Sequence, residues 1–76
     1  MKMGYYTLYE ADTVGTPGME FDMASLAKGF GVEEMIADFI GDNPFEDQCK
    51  WYDHDSNMLT FSKLYPNTVF KLYGVG

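Results

Sequence analysis

A small α/β (α+β) sandwich of order β-α-α-β-α-β, with a three-stranded sheet and helices on one face, is the fold this sequence predicts. Three observations carry it. Residues near both ends alternate in the two-residue period of a strand, the middle carries apolar residues at helical spacing, and 76 residues leave room for one domain, 1–76. With 46% hydrophobic and 17% aromatic residues the chain is too apolar for an acidic disordered tail.

The first strand is expected over residues 4–11, where Tyr5, Thr7 and Tyr9 share one face and Tyr6, Leu8 and Glu10 the other. Asp12 to Gly18 stacks turn formers and reads as a loop. Asp22 offers an N-cap, with Phe21 in the staple position before it, for a helix whose core side is Met23, Leu26, Ala27 and Phe30. Gly29 to Gly31 stops that helix. A second runs from Val32 to Ile40, on which Val32, Met35, Ile36, Phe39 and Ile40 form an apolar stripe that ends at Gly41. A short middle strand is predicted over Cys49 to Asp53, then a third helix capped by Asp55 or Ser56 and ended by Pro66. The last strand, Thr68 to Gly74, sets Thr68, Phe70 and Leu72 against Val69, Lys71 and Tyr73. Core side chains are expected at Tyr6, Leu8, Trp51, Phe70 and Leu72.

Twelve acids against five lysines give a net charge of −7. All of the acids lie between Glu10 and Asp55. That balance argues against direct nucleic-acid binding, whose affinity comes from Lys and Arg on phosphates, and favours a basic partner surface. The single cysteine, Cys49, offers no internal disulfide and fits a reducing cytoplasm, the host's if the chain is phage-encoded. The start has no apolar signal-like core and no run is long enough for a membrane span, so no membrane partner is expected. A core this small makes a homodimer or a docked partner a natural supplement.

Leu26 to Glu34 resembles a helix-turn-helix signature, with Ala27 and Gly31 four apart. The helix that should read bases would present Glu33, Glu34 and Asp38, which offer acceptors where phosphates demand donors. The same residues allow the opposite reading. Glu34, Asp38 and Asp42 fall at i, i+4 and i+8, one helical face stepping about 6 Å, with Glu33 widening the row and Glu46 and Asp47 extending it. The row is either a mimic of nucleic-acid charge or an ordinary solvated face. Asp53, Asp55 and Asn57 copy the first positions of a calcium loop, but Met58 and Leu64 stand where glycine and glutamate are needed, so the segment reads as a helix-capping turn. Cys49 and His54 lack the further groups a nucleophile requires, and no cofactor or metal set is complete. Six tyrosines are more than a small core holds; Tyr5, Tyr9, Tyr52 and Tyr73 either anchor a partner or cover the outer face of the sheet.

Lys50-Trp51-Tyr52-Asp53-His54-Asp55, followed by Asn57-Met58, Phe61-Ser62-Lys63, Tyr65-Pro66, Phe70, Leu72, Gly74 and Gly76, resembles a pattern of small phage and mobile-element proteins similar to the ferredoxin-like domain of the Api-like family. The resemblance covers Lys50 to Gly76 and implies a ferredoxin-like sandwich and a phage or prophage origin; in the family the last strand continues into a hairpin this chain lacks. It implies no catalytic residues. Acidity, size and this resemblance lead to a non-enzymatic inhibitor that blocks a host defence effector, anti-CRISPR-like, through Glu33, Glu34, Asp38 and Asp42 with tyrosine anchors. The other reading is a helix-turn-helix-like transcriptional regulator or small adaptor. With only three strands expected, an edge is left open, and Val69 and Tyr73 on the last strand are its expected contacts in trans.

Overall fold

Strand β1 (Leu8–Val14) and strand β2 (Val69–Val75) pair antiparallel and bring the two ends of the sequence together, as shown by a computed structural model that describes residues 6–75. Between them run α1 (Met19–Lys28), α2 (Val32–Ile40) and α3 (His54–Leu64). The class is α+β, and among the described residues the sheet has two strands, β1-β2, where the sequence predicts three. The three-stranded ferredoxin-like arrangement is therefore incorrect for this chain.

The missing strand has a local cause. In an antiparallel ladder, backbone groups of successive residues point alternately to one neighbour and the other. Thr7 exchanges both bonds with Cys49, at 3.0 and 3.1 Å, so Thr7, Tyr9, Ala11 and Thr13 face the edge of β1 away from β2. A third strand would need those groups. The Glu33 carboxylate on α2 already accepts the Ala11 N–H at 3.1 Å, and Thr13 N–H turns to its own neighbour, Asp12, at 2.8 Å. Pairing with the 49–53 segment stops at a single bridge.

Register inverts the expected face of β1. Tyr9, Ala11 and Thr13 lie opposite Gly74, Leu72 and Phe70 on the helix-covered side. Leu8, Glu10, Asp12 and Val14 lie opposite Val75, Tyr73, Lys71 and Val69 on the outer side. A one-residue change of parity moves every side chain across a strand. Tyr6 is accordingly 65% exposed, whereas Tyr9 packs against the core. The strand also runs through Asp12 to Val14, where a loop is expected, because the Asp12–Lys71 and Thr13–Phe70 pairs outweigh local turn propensity.

Helix α1 begins at Met19, four residues before the expected start, and Gly18 stands at its N-cap in place of Asp22. The cause is again tertiary. Gly18 N–H donates to Thr68 Oγ1 at 2.6 Å, and Asn67 N–H donates to the Glu20 carboxylate at 3.1 Å, so the turn before β2 holds the first turn of the helix. Phe21, expected outside the helix, becomes its buried anchor at 3% exposure, while Met23 and Leu26, expected in the core, are 64% and 79% exposed. Helices α1 and α2 end as predicted on Gly29 and Gly41, whose φ values of 71° and 78° suit a residue without a Cβ.

Ala11, Phe21, Met35, Ile36, Trp51 and Phe61 form the buried core. Aromatic rings pack on one another at both ends of it. Phe21, Phe61 and Phe70 meet with centroids 5.0 to 6.4 Å apart, and Trp51 stands edge-on to Tyr9 and Phe45 at 5.3 and 5.7 Å. Such edge-to-face pairs each contribute about 0.5–1.5 kcal/mol beyond the area they bury.

Candidate functional site: an acid-walled groove on the second helix

A spacing of four residues, about one turn, puts Glu34 and Asp38 on one face of α2. Asp42, expected as the third step of that face, lies past the helix end after Gly41, whose φ is 78°. The three still border one shallow groove. Phe30, Ala37, Gly41, the three acids and Asn43 line it, its surface is mostly apolar, it is shallow and wide open to solvent, and its volume is about 390 Å³. Phe30 reaches it because α1 closes on Gly29: the Phe30 N–H donates to the Ser25 carbonyl at 2.9 Å, and the Ser25 hydroxyl donates to the Phe30 carbonyl.

A second, smaller hollow of about 180 Å³ lies on the other side of Glu34 and Asn43, lined also by Glu33, Phe45 and Glu46. Asp42 in turn rims a third, of about 370 Å³, which Pro44, Cys49, Trp51 and Tyr52 share. Six carboxylates, Glu33, Glu34, Asp38, Asp42, Glu46 and Asp53, thus line three hollows that share lining residues. Phe30 and Phe45 stand in the first two, and Lys50 beside Trp51 in the third. Apolar lining beside acids suits a side chain that is aliphatic or planar along its length and cationic at its tip, as lysine and arginine are.

Each acid of the row also has a bond within the fold. Glu33 closes the β1 edge, the Glu34 carboxylate accepts the Gly31 N–H at 3.2 Å as half of a capping box, and Asp38 pairs with Lys28. Asp42 accepts the Asn43 N–H at 2.8 Å. All but Glu33 remain exposed on the surface, and the exposed Lys28–Asp38 pair is of the kind that contributes little to stability. The charges stay available to a partner.

The expected tyrosine anchors divide. Tyr52 is exposed beside Asp42's second hollow, while Tyr73 and Val69 lie on the outer sheet face, remote in the fold from α2. Tyr9 turns inward between Trp51 and His54, so it is not an exposed contact. Tyr5 lies outside the described residues. An apolar stripe that the helical periodicity assigns to the core, Met23 and Leu26, instead joins Met19 on the exposed side of α1. The spacing was legible; which face it occupied was not.

Cys49 and His54 line different hollows. The thiol contacts the Pro44 carbonyl at 3.7 Å, and His54 lies among Tyr9, Met58 and Leu72, with Asp55 3.1 Å from Nδ1. Burial, then the charges of Asp42 and Asp47, push the Cys49 thiol above its ordinary range, which disfavours the nucleophilic thiolate. The calcium-like segment forms the start of α3, where Asn57 N–H donates to the Asp53 carbonyl at 2.8 Å and Asn57 Oδ1 accepts the Trp51 indole N–H at 2.8 Å. Among the described residues no helix is long and apolar enough to cross a membrane. No family model, curated protein or solved structure matches the chain.

Proposed function

We propose that this protein is a non-enzymatic binding protein that seats a basic surface of another protein in the acid-walled groove of α2, in the manner of an inhibitor occupying a nucleic-acid site. The carrying observation is that Glu34, Asp38 and Asp42 line one shallow groove together with Phe30, Ala37 and Gly41. A row of charge alone would be solvated surface; charge beside a concave, mostly apolar surface adds shape and desolvated area to the attraction. Its most concrete form, an anti-defence inhibitor such as an anti-CRISPR, draws on the phage-like resemblance of Lys50 to Gly76. The regulator reading has less support, since α2 would bring Glu33, Glu34 and Asp38 toward DNA phosphates.

The test uses an arginine-rich peptide as probe, titrated into the protein and followed by backbone NMR shifts. Shifts should centre on Phe30, Glu34, Ala37 and Asp42. Affinity should fall steeply from 0.1 M to 1 M salt, as the screening length drops from about 10 Å to about 3 Å. Asp38→Lys with Asp42→Lys should abolish binding, while folding is checked by circular dichroism. Equal affinity in that variant would make the row plain surface and overturn the reading.

A further inference from the structure

We propose that two copies of this chain pair through β2, antiparallel about a two-fold axis at Leu72, to make one four-stranded sheet of order β1-β2-β2-β1. The two outer edges of the existing sheet differ. That of β1 is occupied in part, by Cys49 at Thr7, by the Glu33 carboxylate at the Ala11 N–H and by Asp12 at the Thr13 N–H, with Tyr9 between them left unbonded among the described residues. On β2 the same alternation sends the backbone groups of Phe70, Leu72 and Gly74 to the far edge, and among the described residues no hydrogen bond reaches them there. An open edge of this kind is a template for another strand.

The register points to a second copy as the occupant. Edge-facing residues must oppose edge-facing residues, so Leu72 can face its own copy, with Phe70 opposite Gly74. Leu72 is also the middle of the seven residues Val69–Val75, so this register alone pairs the whole strand. On the outer face it sets Val69 against the copy's Val75 and Lys71 against the copy's Tyr73. Rows then run across all four strands: Leu8, Val75, Val69 and Val14 in one, and Glu10, Tyr73, Lys71 and Asp12 in the next, each repeated by symmetry. Lysine lies between an aspartate and a tyrosine ring, and Lys71 already lies 5.7 Å from the Tyr73 ring centroid within one chain. Slipping the axis to Lys71 opposes two lysines, and slipping it to Tyr73 carries Val69 and Phe70 beyond the strand Val69–Val75 of the copy. The pairing covers Val69 and Val75, which are 62% and 51% exposed in the single chain.

Light scattering on the full chain should give twice 8.6 kDa. Tyr73→Lys places lysine opposite Lys71 of the copy but opposite Glu10 within the chain, so it should yield a folded monomer; adding Lys71→Glu, with Asp12→Lys to keep opposite charges paired within the chain, should restore the dimer. In a Cys49→Ser background, Val69→Cys with Val75→Cys should oxidise to a covalent dimer, because those positions are about 4.5 Å apart between copies and about 20 Å apart within a chain. Val69→Cys alone should not cross-link. A parent that stays monomeric at millimolar concentration overturns the proposal and leaves the edge to a strand of another protein. A dimer that survives Tyr73→Lys yet dissociates on Leu26→Lys overturns it too, and moves the interface to α1.

Discussion

Glu33, on the second helix, accepts the backbone N–H of Ala11, 22 residues earlier, at 3.1 Å, and so closes the edge of the first strand. One carboxylate thereby ties helix to sheet and blocks a third strand. Glu33→Ala should lower stability by about 1–3 kcal/mol, because a partly buried amide loses an ionised acceptor. Glu33→Gln, which keeps an acceptor oxygen, should recover most of it in chemical denaturation. Equal stability of Glu33→Ala and parent would remove this contact from the account of the fold.

Phe21 and Leu26 lie on one helix with opposite fates. Phe21→Ala should cost about 3–5 kcal/mol, since it empties the space between Phe61, Tyr65 and Phe70. Leu26→Ala should stay within about 0.5 kcal/mol of parent. Reversal of that order in thermal melts would mean α1 packs by the stripe its periodicity suggests.

Cys49 should alkylate slowly. With iodoacetamide at pH 8 its rate in the folded chain should be at least about threefold below that in denaturant, and Asp42→Asn with Asp47→Asn should raise it. A thiol raised above its unfolded value favours folding fully below that value, and this contribution is lost as pH rises toward the folded one. Cys49→Ser should therefore flatten the alkaline limb of stability and leave arginine-peptide binding unchanged; lost binding would tie the thiol to function.

Glu20 should titrate below the usual carboxylate range. Its own backbone amide contributes most, desolvation opposes it, and the backbone and side-chain amides of Asn67 assist. Such a depressed value supports folding above the unfolded pKa, and the support fades as pH falls through the folded one. Glu20→Gln should thus be less stable than parent near neutrality and equal to it in acid. A gap that persists in acid would mean that the charge of Glu20 is not what holds the start of α1.

Local rules read from the sequence determined the α+β class, the extent of α2 from Val32 to Ile40, the glycine stops at 29 and 41, the terminal strand and its inward Phe70 and Leu72, and the placing of Glu34 and Asp38 one turn apart on α2. These depend on spacing within a few residues, where backbone geometry dictates which side chains share a face. Tertiary structure decided the rest. Which face of β1 turns inward depended on register against Val69–Val75, some sixty residues away, because an alternating strand with apolar residues on both sides encodes no preference. The third strand failed because Glu33 took the Ala11 N–H, and α1 began early because Asn67 and Thr68 bonded to Glu20 and Gly18. The groove, likewise, needed Phe30 from one helix end brought beside the acids of the next, a juxtaposition of apolar and charged lining that only the packed chain creates.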